Sequence, residues 1–394
     1  MQQATIAFVN NDKDSGLLQD FHPNVRMVRV TPDSHPLPSQ LASQGRLLWM
    51  DPMIDGYHLA LRGSGKLAKA WDSYRASLEG ECGLDGLKVL QGRSNRDKAK
   101  LVDTALEKCT ERVQPRWITV PQLPVISGTG RNKVNRSLAG ATGEWLSKSG
   151  FAGKLVLPLV FTHQRQIRIK TNYGPKIDVA KKCYADAGAS ALWAVDATLE
   201  DQKGTRNFPQ RFQALVNFHK DLRESFPEAT IAAGPYWGMN LVLWARKLCD
   251  CPAVTLGRGF QYSVSGTFLK KGKARIAIPP LRRWAIVSPD LRKWLDKTLK
   301  ALSPQDPAYG ELSVLRKRYQ DYLAKDAAVR QVAEFYSEWL RRLSAFPAAG
   351  RALALYQDFS SGFVLGRQLP SMPEAERSAR RPERVAEQLM LHCL

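Results

Sequence analysis

The chain has 394 residues, of which 44% are hydrophobic and 24% are charged, an ordinary balance for a folded protein with material for a large core. No apolar run approaches the roughly 18 residues that a transmembrane helix needs, and six cysteines are too few for a dense disulfide framework. The formal net charge of +21 predicts a polyanionic partner, most commonly nucleic acid, with an inert basic surface as the alternative. We therefore expect a cytoplasmic protein with reduced thiols that binds no membrane.

Short runs rich in Val, Ile and Leu recur along the chain and are typical of buried strands. The N-terminal segment is expected to form the first strand. It is not expected to be a signal peptide, because it lacks a basic start and a long apolar centre. The predicted strands are Thr5–Val9, Val28–Val30, Leu47–Trp49, Trp117–Val120, Leu155–Phe161, Leu192–Val195, Thr230–Ala233, Ala253–Leu256 and Arg275–Ile278. The predicted amphipathic helices between them are Ile177–Gly188, Pro209–Phe226 and Asn240–Leu248.

This alternation predicts an α/β fold with a parallel sheet and crossover helices. An open doubly wound sheet and a (β/α)8 TIM-like barrel both satisfy it. We favour the barrel, because no Gly-x-Gly-x-x-Gly follows the first strand and polar or glycine residues end nearly every strand. The barrel is expected over residues 1–305, and a helical C-terminal extension over 306–394. Polar and glycine residues at the predicted strand ends are Asp51, Gln122, His163, Asp196, Gly234 and Gly257.

Two acids follow apolar strands directly. Asp51 ends the strand in RLLWMDPM, and Asp196 ends the strand in ALWAVDA. In a barrel both would reach one mouth, where catalytic residues gather. One carboxylate can attack an electrophilic carbon while the other shuttles a proton. The structural alternative is that Asp51 caps the turn at Pro52 and Asp196 caps a helix opening at Thr198. We predict that the two acids form a catalytic pair.

Two later strand ends carry residues suited to a flat ligand. In TIAAGPYWGMN, Gly234 permits a close backbone approach, and Tyr236 with Trp237 is predicted to sandwich the ligand. The alternative is a turn with two core aromatics. In AVTLGRGFQYS, two glycine amides, an arginine and a glutamine suit a phosphate and a purine edge. The predicted substrate-binding residues are Gly234, Tyr236, Trp237, Gly257, Arg258, Gly259, Gln261 and His163.

The positive charge is clustered. Residues 268–300 carry ten Lys or Arg against two Asp, and residues 163–182 carry six against one. The segment ISGTGRNKVNR, 126–136, is predicted to be a loop. It is either a solvent-exposed connection or a loop that contacts phosphate groups. The predicted contacts to a nucleic-acid backbone are Arg131, Lys133, Lys270, Lys271, Arg282 and Arg283.

The sequence offers little for a metal or a nucleotide cofactor. Cys249 and Cys251 have no second cysteine pair nearby to complete a zinc site. No phosphate-binding Gly-x-x-x-x-Gly-Lys-Ser/Thr loop is present. We expect no metal and no cofactor.

Over Leu47–Tyr262 the chain resembles the tRNA-guanine transglycosylases, and more closely the relatives that insert 7-deazaguanine bases into DNA. The resemblance rests on the strand ending in Asp51, on Asp196 within LWAVDATLED, on Ala233-Gly234-Pro235, and on Leu256–Gly259. It implies a (β/α)8 barrel in which one aspartate shuttles a proton and another contacts the target base. The family's nucleophilic aspartate and zinc cluster have no counterpart here, because IAIPPLRRW, 276–284, contains neither an acid nor a cysteine.

The resulting hypothesis is a base-exchange enzyme that replaces guanine in DNA, with tRNA as the alternative substrate, by a free 7-deazaguanine base. Asp196 or Asp51 would be the nucleophile, and helper proteins of the same pathway would be partners. Two rival hypotheses keep the barrel. In one the protein is a glycosylase or a phosphodiesterase, and in the other it is a catalytically inactive subunit that binds DNA or RNA.

Overall fold

The computed structural model describes residues 6–8, 27–32, 36–54, 57, 66–125, 129–198, 208–236, 240–255 and 274–371. Its centre is a curled parallel sheet with helices packed around it, a TIM-like α/β fold. The strands of this sheet are β1 (Ile6–Phe8), β2 (Met27–Val30), β3 (Leu47–Met50), β4 (Trp117–Thr119), β5 (Lys154–Phe161), β6 (Ala191–Asp196), β7 (Thr230–Ala233) and β8 (Cys251–Thr255). A separate antiparallel hairpin follows, made of β9 (Arg275–Ile278) and β10 (Arg283–Ile286).

Twelve α-helices lie within the described ranges. They are α1 (Leu37–Ser43), α2 (Lys66–Cys82), α3 (Gly86–Gln91), α4 (Asn95–Thr110), α5 (Thr129–Ser149), α6 (Lys170–Asp186), α7 (Phe208–Ser225), α8 (Asn240–Ala245), α9 (Pro289–Ala301), α10 (Pro307–Lys317), α11 (Lys325–Ser344) and α12 (Arg351–Gln368).

The strands of the central sheet pair in chain order. Each neighbouring pair from β1 to β8 is parallel, and β1 pairs with β8 as well as with β2. Parallel pairing brings the carboxyl ends of all these strands to one edge of the sheet. Asp51, His163, Asp196 and Gly234 therefore lie along the same edge, as the sequence predicted.

Aromatic contacts distinguish the two faces of the sheet. The rings of Trp49 on β3 and Trp193 on β6 are 5.5 Å apart although two strands separate them along the sheet. Both therefore point to the inner face, where Trp117 also packs on Trp49 at 5.6 Å. Phe161 on β5 instead contacts Phe218 of α7 at 5.0 Å, which places it on the outer, helix-covered face. Side chains alternate between these faces along each strand.

Two apolar clusters hold the described residues together. The larger contains the sheet and its helices, together with residues of α11 and α12 such as Tyr336 and Phe359. The smaller is built from β9, β10, α9 and α10. The predicted domain boundary at 305/306 falls between α9 and α10, and these two helices pack in the same cluster.

Several predicted elements need correction. Arg275–Ile278 is a strand, but it pairs with β10 outside the parallel sheet. Helix α6 begins at Lys170, seven positions before the predicted start, and continues through Pro175. Residues 129–136, predicted as a loop, form the first two turns of α5, where helical spacing brings Leu138 and Ala139 into the core.

Candidate active site at the carboxyl edge of the sheet

Asp51 lies just beyond β3 and is almost completely buried, with 1% of its surface exposed. Its Oδ2 accepts a hydrogen bond and ion pair from Arg29 of β2. Its Oδ1 accepts the backbone N–H of Met53 at 2.8 Å, which closes the turn around Pro52. The Arg29 guanidinium also lies 4.7 Å from the centre of the Trp193 ring, so the ion pair is on the inner face. This cap at Pro52 matches the structural alternative given above.

Asp196, the last residue of β6, is also buried, with 2% exposed. Its Oδ2 pairs with Arg211 of α7, and its Oδ1 accepts both the backbone N–H and the hydroxyl of Thr198, at 2.9 and 2.7 Å. Its own backbone N–H donates to the Tyr236 hydroxyl at 2.9 Å. The Asp196 carboxylate thus joins β6 to α7 and to the turn at Thr198.

The two acids point to opposite faces of the sheet. In the register of β5 and β6, Asp196 lies opposite Phe161, which is on the outer face. Asp51 is two residues beyond Trp49 and pairs with the inward-facing Arg29. The two carboxylates therefore do not face one pocket as the predicted catalytic pair would require, because the odd number of residues from Trp193 to Asp196 turns the second acid outward.

It was not predicted from the sequence that Arg29 and Arg211 are the counter-ions of the two acids. A signal for Arg29 was visible, because a charged side chain in the middle of the short apolar strand MVRV needs a partner once it is buried. Arg211 gave no comparable signal, since arginines are common on the exposed faces of amphipathic helices.

Tyr236 and Gly234 form part of the protein's interior. Tyr236 is 1% exposed, and its hydroxyl donates to the carbonyl of Ala194 at 3.3 Å while accepting from Asp196. Burial, followed by the nearby Asp196 carboxylate, raises the pKa of this hydroxyl well above its usual value. Gly234 has a φ of +92°, and a Cβ there would lie 2.8 Å from the Tyr236 nitrogen, so the turn requires glycine. These contacts match the alternative of a turn with a core aromatic.

Part of the predicted binding set lies outside the described residues. These residues are Trp237, Gly257, Arg258, Gly259, Gln261, Lys270 and Lys271. Arg131 and Lys133 are both on α5, and Lys133 is exposed.

The predicted cations of the hairpin are engaged within the protein. Arg282 is 3.6 Å from Asp358 and lies over the rings of Phe335 and Trp339, at 5.6 and 5.4 Å. Burial lowers the pKa of its guanidinium. The neighbouring Arg283 lies 5.9 Å from the Trp294 ring. Arg282 thus packs against the larger cluster and Arg283 against the smaller one, so nucleic acid would have to displace Arg282 from Asp358 to bind its guanidinium.

The segment after β5 forms an exposed basic surface at the carboxyl edge. We call it the 163–170 surface, and its exposed members are His163, Arg165, Arg168, Ile169 and Lys170. A short 3-10 turn over Gln164–Gln166 supports it, and the His163 Nδ1 accepts the backbone N–H of Arg165 at 3.2 Å. His163 is therefore at the edge, as predicted, and its side chain caps this turn.

A crevice opens on the outer side of β4 and β5, beneath α5 and α6. It is lined by Gln122, Val125, Asn132, Asn135, Leu157, Pro158, Leu159, Lys176, Val179, Ala180 and Cys183. Neither Asp51 nor Asp196 is in this lining. The crevice is thus separate from both ion pairs.

The described cysteines and acids offer no metal centre. Cys82, Cys109, Cys183, Cys249 and Cys251 are free and buried, and burial raises the pKa of the Cys251 thiol to about 12. Within the described ranges, no three His, Cys, Asp or Glu side chains are grouped as metal ligands. The same ranges contain no helix that is both long and apolar enough to cross a membrane.

No protein family and no curated protein matches the sequence. A similar solved structure is the carboxyl transferase domain of Rhizobium etli pyruvate carboxylase with pyruvate, at 11% sequence identity and a TM-score of 0.37. The match covers 99% of this chain and 62% of that structure, so this chain spans less than two thirds of its length. A similarity this weak carries no argument about activity.

Proposed function

We propose that the chain is a (β/α)8 barrel protein that binds DNA at the carboxyl edge of its sheet and exchanges a purine base there. The observation that carries this proposal is the position of Asp51. It is an inward-facing acid at the edge that also presents Arg165, Arg168 and Lys170 to solvent. Exposed cations at that edge would neutralise phosphates. The resemblance of LLWMD and LWAVD to the transglycosylase segments supplies the type of reaction.

In this proposal the target guanine leaves the base stack, because its glycosidic carbon is unreachable inside a duplex. The Asp51 carboxylate attacks C1′ as the C1′–N9 bond breaks, and guanine departs with the bonding electrons and takes up a proton. A free 7-deazaguanine then displaces the carboxylate, forms the new glycosidic bond and gives up its ring N–H proton. The covalent link keeps the DNA strand intact between the two steps.

The opposite orientations of the acids favour different roles. Asp51 faces the inner side of the sheet and is assigned the nucleophile's role, with Arg29 fixing its direction. Asp196 faces α7 and is assigned a positioning role, because it holds Thr198 and Arg211 at the start of the next crossover.

The test is incorporation of labelled guanine or a labelled 7-deazaguanine into duplex DNA, with tRNA assayed in parallel. We expect Asp51→Asn to lose incorporation by at least about a thousandfold, as for removal of a nucleophile. The matched control is Asp178→Asn, an exposed acid on α6, which should leave the rate unchanged. No incorporation by the parent chain, or full activity in Asp51→Asn, would overturn the proposal. Abasic sites or nicks formed without an incoming base would instead indicate a hydrolase.

A second candidate function is DNA binding without catalysis, with helper proteins supplying the chemistry. The observation that favours it is that each acid is already held by a buried arginine and a turn amide. A parent chain that is inactive in the incorporation assay, and an Asp51→Asn, Asp196→Asn variant that binds DNA as tightly as the parent, would establish this alternative.

A further inference from the structure

We propose that Ile169 is a wedge that enters the DNA base stack and keeps the target base outside it, while the cations beside it hold the backbone. This inference rests on the proposed function and names the form of DNA that the 163–170 surface recognises, a duplex opened at one base. Extruded bases leave a gap, and apolar side chains inserted between base steps are a known means of unstacking DNA.

The first argument is exposure. Ile169 is 53% exposed although it is a large apolar residue, whereas Ile167, two positions earlier, is 1% exposed. Burying an apolar side chain of this size removes its surface from water and is favourable. An isoleucine left in solvent at the edge where the strand ends converge is therefore available for a partner's apolar surface, and the faces of DNA bases provide one.

The second argument is the charge around it. Arg168 and Lys170 flank Ile169 directly, and both are exposed, as is Arg165. Lys170 is the first residue of α6, and its side chain remains 75% exposed although its Nζ is 3.1 Å from Asp221. The N-terminus of this 17-residue helix adds a positive dipole end. The cations would hold phosphates on both sides of the position that Ile169 enters.

The third argument is rigidity, since a wedge must keep its position while the stack resists. The Gln166 side chain accepts the backbone N–H groups of Thr162 and His163 at 3.1 and 3.0 Å, and donates to the carbonyl of Val125 at 2.5 Å. Asn172 donates to the carbonyl of Arg165 at 2.6 Å. The Gln166 bonds anchor the segment before Ile169 to the end of β5 and to Val125, and the Asn172 bond ties the first turn of α6 back to that anchored segment.

The experiment measures binding and base extrusion separately with the full-length chain. The probes are DNA duplexes that carry 2-aminopurine, whose fluorescence rises on unstacking, in place of guanine in varied sequence contexts. We expect the parent to raise the fluorescence at saturation. Ile169→Ala should lose most of that rise, while its Kd changes by less than about threefold because affinity comes mainly from phosphate contacts. Ile169→Leu should restore the rise.

Two controls separate the wedge from general effects. Leu323→Ala removes an equally exposed apolar side chain, 55% exposed, that lies between α10 and α11 and not at a strand end; it should change neither signal. Arg168→Ala should show the converse of Ile169→Ala. Its Kd should weaken, and the slope of log K against log salt should shrink by about 0.9 for one lost phosphate contact, while the fluorescence at saturation is kept.

The outcomes for the wedge and for base exchange are distinct. A full fluorescence rise with Ile169→Ala, or no rise with the parent on any duplex, overturns the wedge. Label incorporation by the parent would then still support the exchange reaction. If the parent unstacks 2-aminopurine, Ile169→Ala does not, and no label enters DNA, the wedge stands and the exchange reaction fails.

Discussion

At the residue scale, the main feature is that acids at strand ends are held by arginines from other elements. Asp51 with Arg29, and Asp196 with Arg211, are both nearly inaccessible to water. Bringing such charges out of water is costly, and the cost is offset only while both partners remain. The pairs therefore specify which strand and which helix meet at the edge, whether or not either acid reacts with a substrate.

The Arg29–Asp51 pair gives a prediction about stability. Arg29→Met should lower the free energy of unfolding by about 3–5 kcal/mol, because it leaves the Asp51 carboxylate buried and unpaired. Adding Asp51→Asn should recover part of the loss. Arg75→Met, which breaks the more exposed Arg75–Glu79 pair on α2, should cost less than about 1 kcal/mol. Urea denaturation checks all three, and equal losses for the two arginines would contradict the argument.

His219 on α7 gives a prediction about pH. It is fully buried, contacts Phe218 and Tyr236, and neither ring nitrogen has a hydrogen-bond partner within the described part of the chain. Burial, followed by the nearby Arg223 charge, lowers its pKa from 6.5 to about 3. Between these values the unfolded chain binds a proton that the folded chain excludes, so stability should fall as pH falls, by up to about 1.4 kcal/mol per pH unit.

The measurement for His219 is the free energy of unfolding between pH 7 and pH 4, a range set by the two pKa values. His219→Phe should lose this contribution and show a shallower fall than the parent. Identical slopes in the parent and His219→Phe would show that the histidine does not titrate as argued.

At the scale of elements, glycines determine how closely helices approach. On α5, a Cβ at Gly143 would lie 2.2 Å from the backbone carbonyl oxygen of Asp186, at the end of α6. A Cβ at Gly140, on the same helix, would meet nothing within 4 Å. The packing of α5 on α6, which supports the 163–170 surface, therefore depends on Gly143 but not on Gly140.

Two alanine substitutions test this packing. Gly143→Ala should destabilise the protein by about 1–3 kcal/mol, because backbone must move to admit the methyl group. Gly140→Ala should stabilise it by up to about 1 kcal/mol through helix propensity alone. Thermal unfolding of the two variants checks the opposite signs; stabilisation by Gly143→Ala as well as by Gly140→Ala would show that α5 can move away from α6.

Helices and strands were predicted well where the hydrophobic periodicity was strong, and poorly where tertiary contacts determined the local structure. Strands β5 and β6 match the apolar runs that predicted them. Helix α6 was predicted too short; it begins at Lys170, and Pro175, at its sixth position, removes a single hydrogen bond within the helix. At the candidate site, the sequence predicted that Asp51 and Asp196 lie at one edge of the sheet. It did not predict on which face of the sheet each side chain lies, because a shift of one residue along a strand moves a side chain to the other face.

At the scale of the whole molecule, the C-terminal helices share the core of the sheet. Tyr336 of α11 donates a hydrogen bond to Asn240 of α8 at 3.2 Å, and Leu355 and Phe359 of α12 belong to the larger apolar cluster. The hairpin also attaches to α11, because the Gln331 amide bonds both backbone groups of Ala277. Removal of these helices would expose apolar side chains of α8 and of the hairpin strand β9 that α12 and α11 now cover.

A truncation tests this connection. A chain ending at residue 305 should lose cooperative unfolding, because the larger cluster then lacks the side chains of α11 and α12. A chain that ends at residue 371 keeps all the described residues and is the control. Circular dichroism and tryptophan fluorescence during urea titration provide the measurement. A cooperative transition in the shorter chain at the parent's midpoint would establish the extension as an independent unit.

The inward-facing tryptophans limit how deep any ligand can go. Trp49 contacts both Trp117 and Trp193, and the Arg29 guanidinium lies over the rings of Trp49 and Trp193. Their indoles occupy the inner face of the sheet below Asp51, so a purine extruded in the proposed reaction would rest above them, at the carboxyl edge. A base seated at such a shallow depth would keep its sugar close to the surface of the protein, within reach of the backbone that the exposed cations hold.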